Sequence, residues 1–190
     1  MLLWINNKFQ YNTIDVSKQI IKRAAVIEGA GQVRLKVAKL DGNNLPIPLT
    51  LSELNAFQNY INKIKFAGTD ITITSRTSDL LKLQMDVFYD PLVIDANGGL
   101  INNPAIKPVE VAINDFISNL SFNGKLVLTS LVDAVQQVNG VNNPVLISAE
   151  AKFGQLNYTP INVDYTADAG HLKIDAAFPL STTINYIADV

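Results

Sequence analysis

Residues 71–90 read ITITSRTSDLLKLQMDVFYD, and this stretch decides the fold. Ile71 and Ile73 alternate with threonines. Leu81, Leu83, Met85, Val87 and Tyr89 alternate with Lys82, Gln84, Asp86 and Phe88. A period of two sends alternate side chains to opposite faces of a strand, so the stretch predicts two half-buried strands, the second of them long. Pro91 has no backbone N–H to give and closes that strand or moves it to a sheet edge.

Upstream, Thr50-x-x-Glu53 is a capping box, in which two side chains satisfy free N–H groups at a helix start. Leu54, Phe57, Ile61 and Ile64 follow as one apolar stripe, and Gly68 is placed to end the helix. In QVRLKVAKL (32–40), Val33, Leu35 and Val37 alternate with Arg34, Lys36 and Ala38, the pattern of a half-buried strand. Asp41-Gly-Asn-Asn ends it with turn chemistry. Thr13 to Ala25 predicts a short helix capped by Asp15 or Ser17, with Ile20, Ile21 and Ala24 on one face. Residues 1–13 predict a strand or extended arm.

Downstream, 91–106 is a turn-rich loop. Pro108 suits the first position of a second helix that buries Val109, Ala112, Ile113, Phe116, Ile117 and Leu120. A third helix is expected from Thr129 to Val138, with Gly140 just past its end. NPVLISAEAKF reads as a strand. INVDYT and HLKIDAAF flank Ala167-Asp168-Ala169-Gly170 as a hairpin, and TTINYIADV supplies a last short strand. Strand, helix, strand thus occurs twice, over 32–76 and 79–152, without a close sequence repeat. The expected fold is α+β: two small mixed subdomains of mainly antiparallel strands, with helices packed on one face, sharing the long strand at 79–90. The first, with the N-terminal arm, takes 1–78, and the second, with the C-terminal hairpin, takes 79–190.

A chain of 190 residues can bury a sizeable core. Its 48% hydrophobic and 17% charged residues are folded-protein values, but the charge is low beside the roughly 25% of an average soluble domain. Interface cores lose charge in this way, and a compact core accounts for it equally well. The net charge is −2 and only Arg23, Arg34 and Arg76 are arginines, so no basic stripe serves nucleic acid. Without cysteine there is no disulfide, thiolate nucleophile or Cys-ligated zinc. No stretch approaches the ~18 apolar residues of a membrane span. MLLWINNKFQYN has no basic n-region or long apolar h-region, and synthesis in the cytoplasm of the producing cell is expected.

Catalytic patterns are missing. His171 is the one histidine and follows a turn glycine, which predicts a surface residue rather than a metal ligand or triad base. Gly29-Ala-Gly31 precedes a strand, whereas a dinucleotide loop follows one. Asp86, Asp90 and Asp95 lack the ligand spacing of a calcium loop, and Asp164 and Asp168 are explained by turn preference. No catalytic residue, cofactor or metal is expected. The pairs Asn43-Asn44, Asn102-Asn103 and Asn142-Asn143 fall in predicted loops, as turn chemistry or as docking tips. Candidate interface residues are Leu2, Trp4, Ile5 and Phe9 of the arm, Asn102 and Asn103 of the 91–106 loop, and His171 at the expected hairpin.

The order of elements resembles a known family. VRLKVAKL, the "LT-x-x-E" helix start, and ITITSRTSDLLKLQMDVFYD after a glycine are similar to the baseplate J family of contractile phage tails and related injection machines. The helix PVEVAINDFISNL, the turn Phe122-Asn-Gly124, and the run Leu126 to Val141 (LVLTSLVDAVQQVNGV) resemble the C-terminal part of that family. So do Tyr165 to Gly170, Leu172, Ile174 and Pro179-Leu180. The resemblance covers roughly residues 20–175; family members carry a larger region ahead of it. It implies a wedge protein without catalytic residues or cofactors, in the virion tail baseplate and assembled in the host cytoplasm. Its implied partners are other baseplate or tail proteins, in a homo-oligomer or ring. A non-enzymatic ligand- or carbohydrate-binding module using the Asn-rich loops is the other expectation.

Overall fold

The computed structural model describes residues 18–29 and 31–189, and residues 2–5 and 8–11 as backbone. β1 (Leu2–Ile5) and β2 (Lys8–Tyr11) pair antiparallel as a two-stranded ribbon. The helix expected over 13–25 falls partly outside the described residues. Within them it is replaced by irregular backbone at 19–22 and by β3 (Arg23–Gly29). The reason is tertiary: β3 finds a partner along its whole length in β4 (Gln32–Leu40), and Val26 and Ile27 are β-branched.

β4 is the centre of the first sheet. On its other side it pairs antiparallel with β5 (Pro46–Ile47) and parallel with β6 (Ile71–Thr74). Between β5 and β6 runs α1 (Leu51–Ile64), with the predicted capping box formed: Glu53 N–H donates to Thr50 Oγ1, and Thr50 N–H donates to the Glu53 carboxylate. The Lys39 ammonium, 2.8 Å away, and the Thr50 backbone hold the Glu53 carboxyl down to about 2. Leu54, Phe57 and Ile61 pack on Val37, Leu49 and Ile73. This core is thin, and no α1 residue is fully buried.

The second lobe holds most of the core. β7 (Asp79–Tyr89) is its central strand, and every odd-numbered residue is buried. β9 (Val141–Lys152) pairs antiparallel along one edge of β7 and carries β10 (Thr159–Pro160). Along the other edge β12 (Leu172–Ile174) and β13 (Ile184–Ala188) both run parallel to β7, separated by an excursion containing α4 (Leu180–Thr183). α2 (Pro108–Ser118) and α3 (Leu128–Gln136) cover one face, burying Val109, Ile113 and Ile117, and Leu128, Leu131 and Val135, against Leu81, Leu83, Met85 and Val87. On the opposite face Lys82 pairs with Glu150 at 2.8 Å and lies 5.0 Å from the Phe178 ring centre.

The fold is therefore α+β with mainly antiparallel strands, as expected. Two details differ. β7 belongs to the second sheet alone and is not shared. The segment 164–174 is not a hairpin: β11 (Asp164–Thr166) pairs with β8 (Lys125–Val127), while β12 joins β7. The turn between β11 and β12 bonds to other parts of the chain instead of closing a ladder. No helix among the described residues is long and apolar enough to cross a membrane.

Candidate functional site: the seam between the lobes

Alternation along β4 puts Leu35 and Val37 under α1 and sends Arg34, Lys36 and Ala38 to the other face of the sheet. That face meets the second lobe. Lys36 is only 4% exposed. Its ammonium donates to Asn123 Oδ1 at 2.7 Å and to the Ala167 carbonyl at 2.8 Å. The Asp168 carboxylate receives Arg34 at 3.0 Å and Arg76 at 2.5 Å. Arg76 also stacks on Phe153, 4.6 Å from the ring centre. Burial, reinforced by the Arg34 charge, pushes the Lys36 ammonium below its ordinary value, while Asp168 and Asp79 oppose the shift.

Asp79, the first residue of β7, is fully buried. It accepts the Asp168 N–H at 2.7 Å, the Ala169 N–H at 3.1 Å and the Tyr165 hydroxyl. Its own N–H donates to the His171 carbonyl at 3.0 Å, and the Asn123 N–H donates to the Gly170 carbonyl at 2.7 Å. Burial first, and then the bond to Asp79, pushes the Tyr165 hydroxyl well up. These contacts explain why 165–171 is no hairpin: its backbone groups are satisfied by Asp79, Asn123 and Lys36. Gly170 (φ +86) takes a left-handed conformation, and a Cβ there would lie 2.8 Å from the Phe122 ring.

A cleft of about 270 Å³ opens beside the seam, between residues 44–46, the end of α2, and β12. His171 lines it, stacked on Phe122 with ring centres 5.9 Å apart. The expected surface histidine is thus a half-buried seam residue, drawn inward with the turn that Asp79 holds. Burial lowers its pKa, against the nearby carbonyls of Ala169 and Pro46 and the Asp79 carboxylate. Neither ring nitrogen makes a well-formed hydrogen bond within the described residues.

The other sequence-derived candidates lie elsewhere. Asn102 and Asn103 are exposed in the 91–106 loop, whose backbone is held by Asp95 bonding the N–H groups of Asn97 and Gly99. Leu2, Trp4 and Ile5 lie on β1 and Phe9 on β2, with side chains outside the described residues. Of the three Asn pairs, Asn44 reaches the cleft. The seam residues Lys36, Asp79, Asn123, Tyr165 and Asp168 were not singled out by sequence as one site. Two signals pointed to them: Asp79 sits in line with the apolar face of β7, and Ala38 sits in line with Arg34 and Lys36.

The seam's bonds from Lys36, Arg34 and Arg76 to residues of the second lobe can hold two lobes in one relative orientation. Among the described residues no group of three or more His, Asp or Glu side chains is placed to hold a metal ion. Outside the seam, Phe66 (87% exposed) and Leu92 (84%) leave large apolar side chains in solvent, as do Leu51, Ile64 and Ile147 to a lesser degree. No protein-family model matches the sequence, and no curated protein matches it.

Proposed function

We propose that this chain is a non-enzymatic structural part of a contractile-tail baseplate, a wedge-like piece that joins neighbouring subunits around the tail hub. The observation that carries this reading is the order and spacing of elements in the sequence, from VRLKVAKL through the Phe122-Asn-Gly124 turn to the helix ahead of Val141. Two physical features support it. The polar seam suits a part that must transmit load, because the buried groups of Lys36 and Asp79, each held by several hydrogen bonds, favour one arrangement over others. Large apolar side chains exposed on both lobes suit a chain that buries surface against neighbours.

Immunogold labelling of intact tail particles from the producing cells tests the reading. The label is expected at the baseplate end of the tail. Particles that assemble fully and carry no label, with the chain confined to the soluble fraction, overturn it.

A further inference from the structure

The sequence holds three Asn-Gly pairs, Asn97-Gly98, Asn123-Gly124 and Asn139-Gly140. In such a pair the glycine amide nitrogen can attack the side-chain amide carbon of the asparagine, because glycine has no Cβ to block the approach. The fold treats the three differently. The Gly98 N–H donates to the Asp95 carbonyl at 3.0 Å, and the Tyr186 ring packs against Gly98. The Gly124 N–H donates to the Ser121 carbonyl at 2.7 Å, and the Asn123 side chain accepts a bond from the Lys36 ammonium. Asn139 is exposed in the turn between α3 and β9, and its side chain makes no hydrogen bond within the described residues. The Gly140 N–H makes none there either, although the Gly140 carbonyl receives the Asp90 N–H at 2.9 Å.

We propose that Asn139-Gly140 is a site of spontaneous deamidation that frees the loop at 91–106. This goes beyond the baseplate reading, since it needs no partner. The Gly140 nitrogen loses its proton to solvent base and bonds to Asn139 Cγ. The Cγ–Nδ2 bond breaks, and the side-chain nitrogen takes up a proton and leaves as ammonia. Water then adds to one of the two carbonyls of the resulting cyclic imide, breaks its bond to the ring nitrogen and returns a proton to that nitrogen. Opening at the former side-chain carbonyl gives aspartate, and opening at the main-chain carbonyl gives isoaspartate. Either product carries a negative charge where the amide was neutral. Isoaspartate also runs the chain through the former side chain, one methylene longer. Gly140 is closely held against such a change: a Cβ on it would lie 2.7 Å from Val93 Cγ1, and its carbonyl holds the Asp90 N–H. Both contacts sit at the start of the 91–106 loop, so the longer chain releases it.

Peptide mapping by mass spectrometry tests this on the full chain, aged at mildly alkaline pH below its unfolding midpoint, with a parallel sample in urea. In the native chain Asn139 is expected to convert about tenfold or more faster than Asn97 or Asn123, whose glycines must first break a backbone hydrogen bond. In urea the three pairs are expected to convert at similar rates, because the fold no longer distinguishes them. Amide hydrogen exchange at Asp90 is expected to quicken in the aged native chain and to stay slow in aged Asn139→Gln. Native conversion of Asn97 or Asn123 as fast as that of Asn139 overturns the proposal. So does an Asn139 that reacts only in urea, a lead of Asn139 that persists there, or an Asp90 amide that exchanges no faster once Asn139 has converted.

Discussion

At the scale of single residues, Asp79 decides how the lobes meet. It has two backbone N–H groups and a hydroxyl bonded to it, and it is fully buried. Asp79→Ala leaves those donors unpaired near the buried Lys36 and is expected to cost about 3–5 kcal/mol, read from urea unfolding midpoints. Asp164→Ala, which removes the exposed partner of Lys125 at 3.2 Å, should cost under about 1 kcal/mol in the same assay. His171 adds a pH dependence with a definite sign. Its folded-state pKa lies below the ordinary 6.5, so the unfolded chain binds the proton more readily. The stability it contributes is present above 6.5 and is lost as pH falls toward its folded value. His171→Gln should flatten the fall in unfolding midpoint between about pH 7 and about pH 5. Apart from His171, which the sequence offered as an interface candidate, this site was not legible in the sequence, because Asp79, Lys36 and Asp168 meet only after two lobes dock.

At the scale of elements, the sequence was most legible where one physical rule acted alone. β7 followed from strict alternation, and α1 from its capping box and apolar stripe. Thr50→Ala removes that cap and is expected to cost about 1 kcal/mol, measured as a lowered thermal midpoint. The misread elements are those that long-range pairing settles. Ile20, Ile21 and Ala24 fit a helical face, yet Arg23–Gly29 finds seven partners on β4. The turn 167–170 has hairpin residues, yet its flanking strands join different partners. Gly170→Ala tests the role of that turn, since the left-handed backbone and the Phe122 ring both oppose a methyl group. A loss of about 1–3 kcal/mol is expected, with a change in the near-ultraviolet signal as the Phe122–His171 stack is disturbed.

At the scale of the whole molecule, two hydrophobic clusters of unequal size are joined by a charged seam. The sequence showed the two clusters through their separate apolar stripes. It did not show that the polar face of β4 is buried, because arginine and lysine on alternate positions read as solvent-facing. The low charge of the composition is now accounted for in part by the second lobe's core and in part by apolar side chains left on the surface. Whether the chain works by assembly is read most directly by co-expressing it with the products of its neighbouring genes and measuring the mass of what it elutes with, by size-exclusion chromatography with light scattering. The expected result is a stable complex far above the 20.8 kDa of one chain, containing tube, sheath or spike proteins alongside it. Elution as a monomer or dimer of this chain alone, with those proteins present and folded, would contradict the assembly reading.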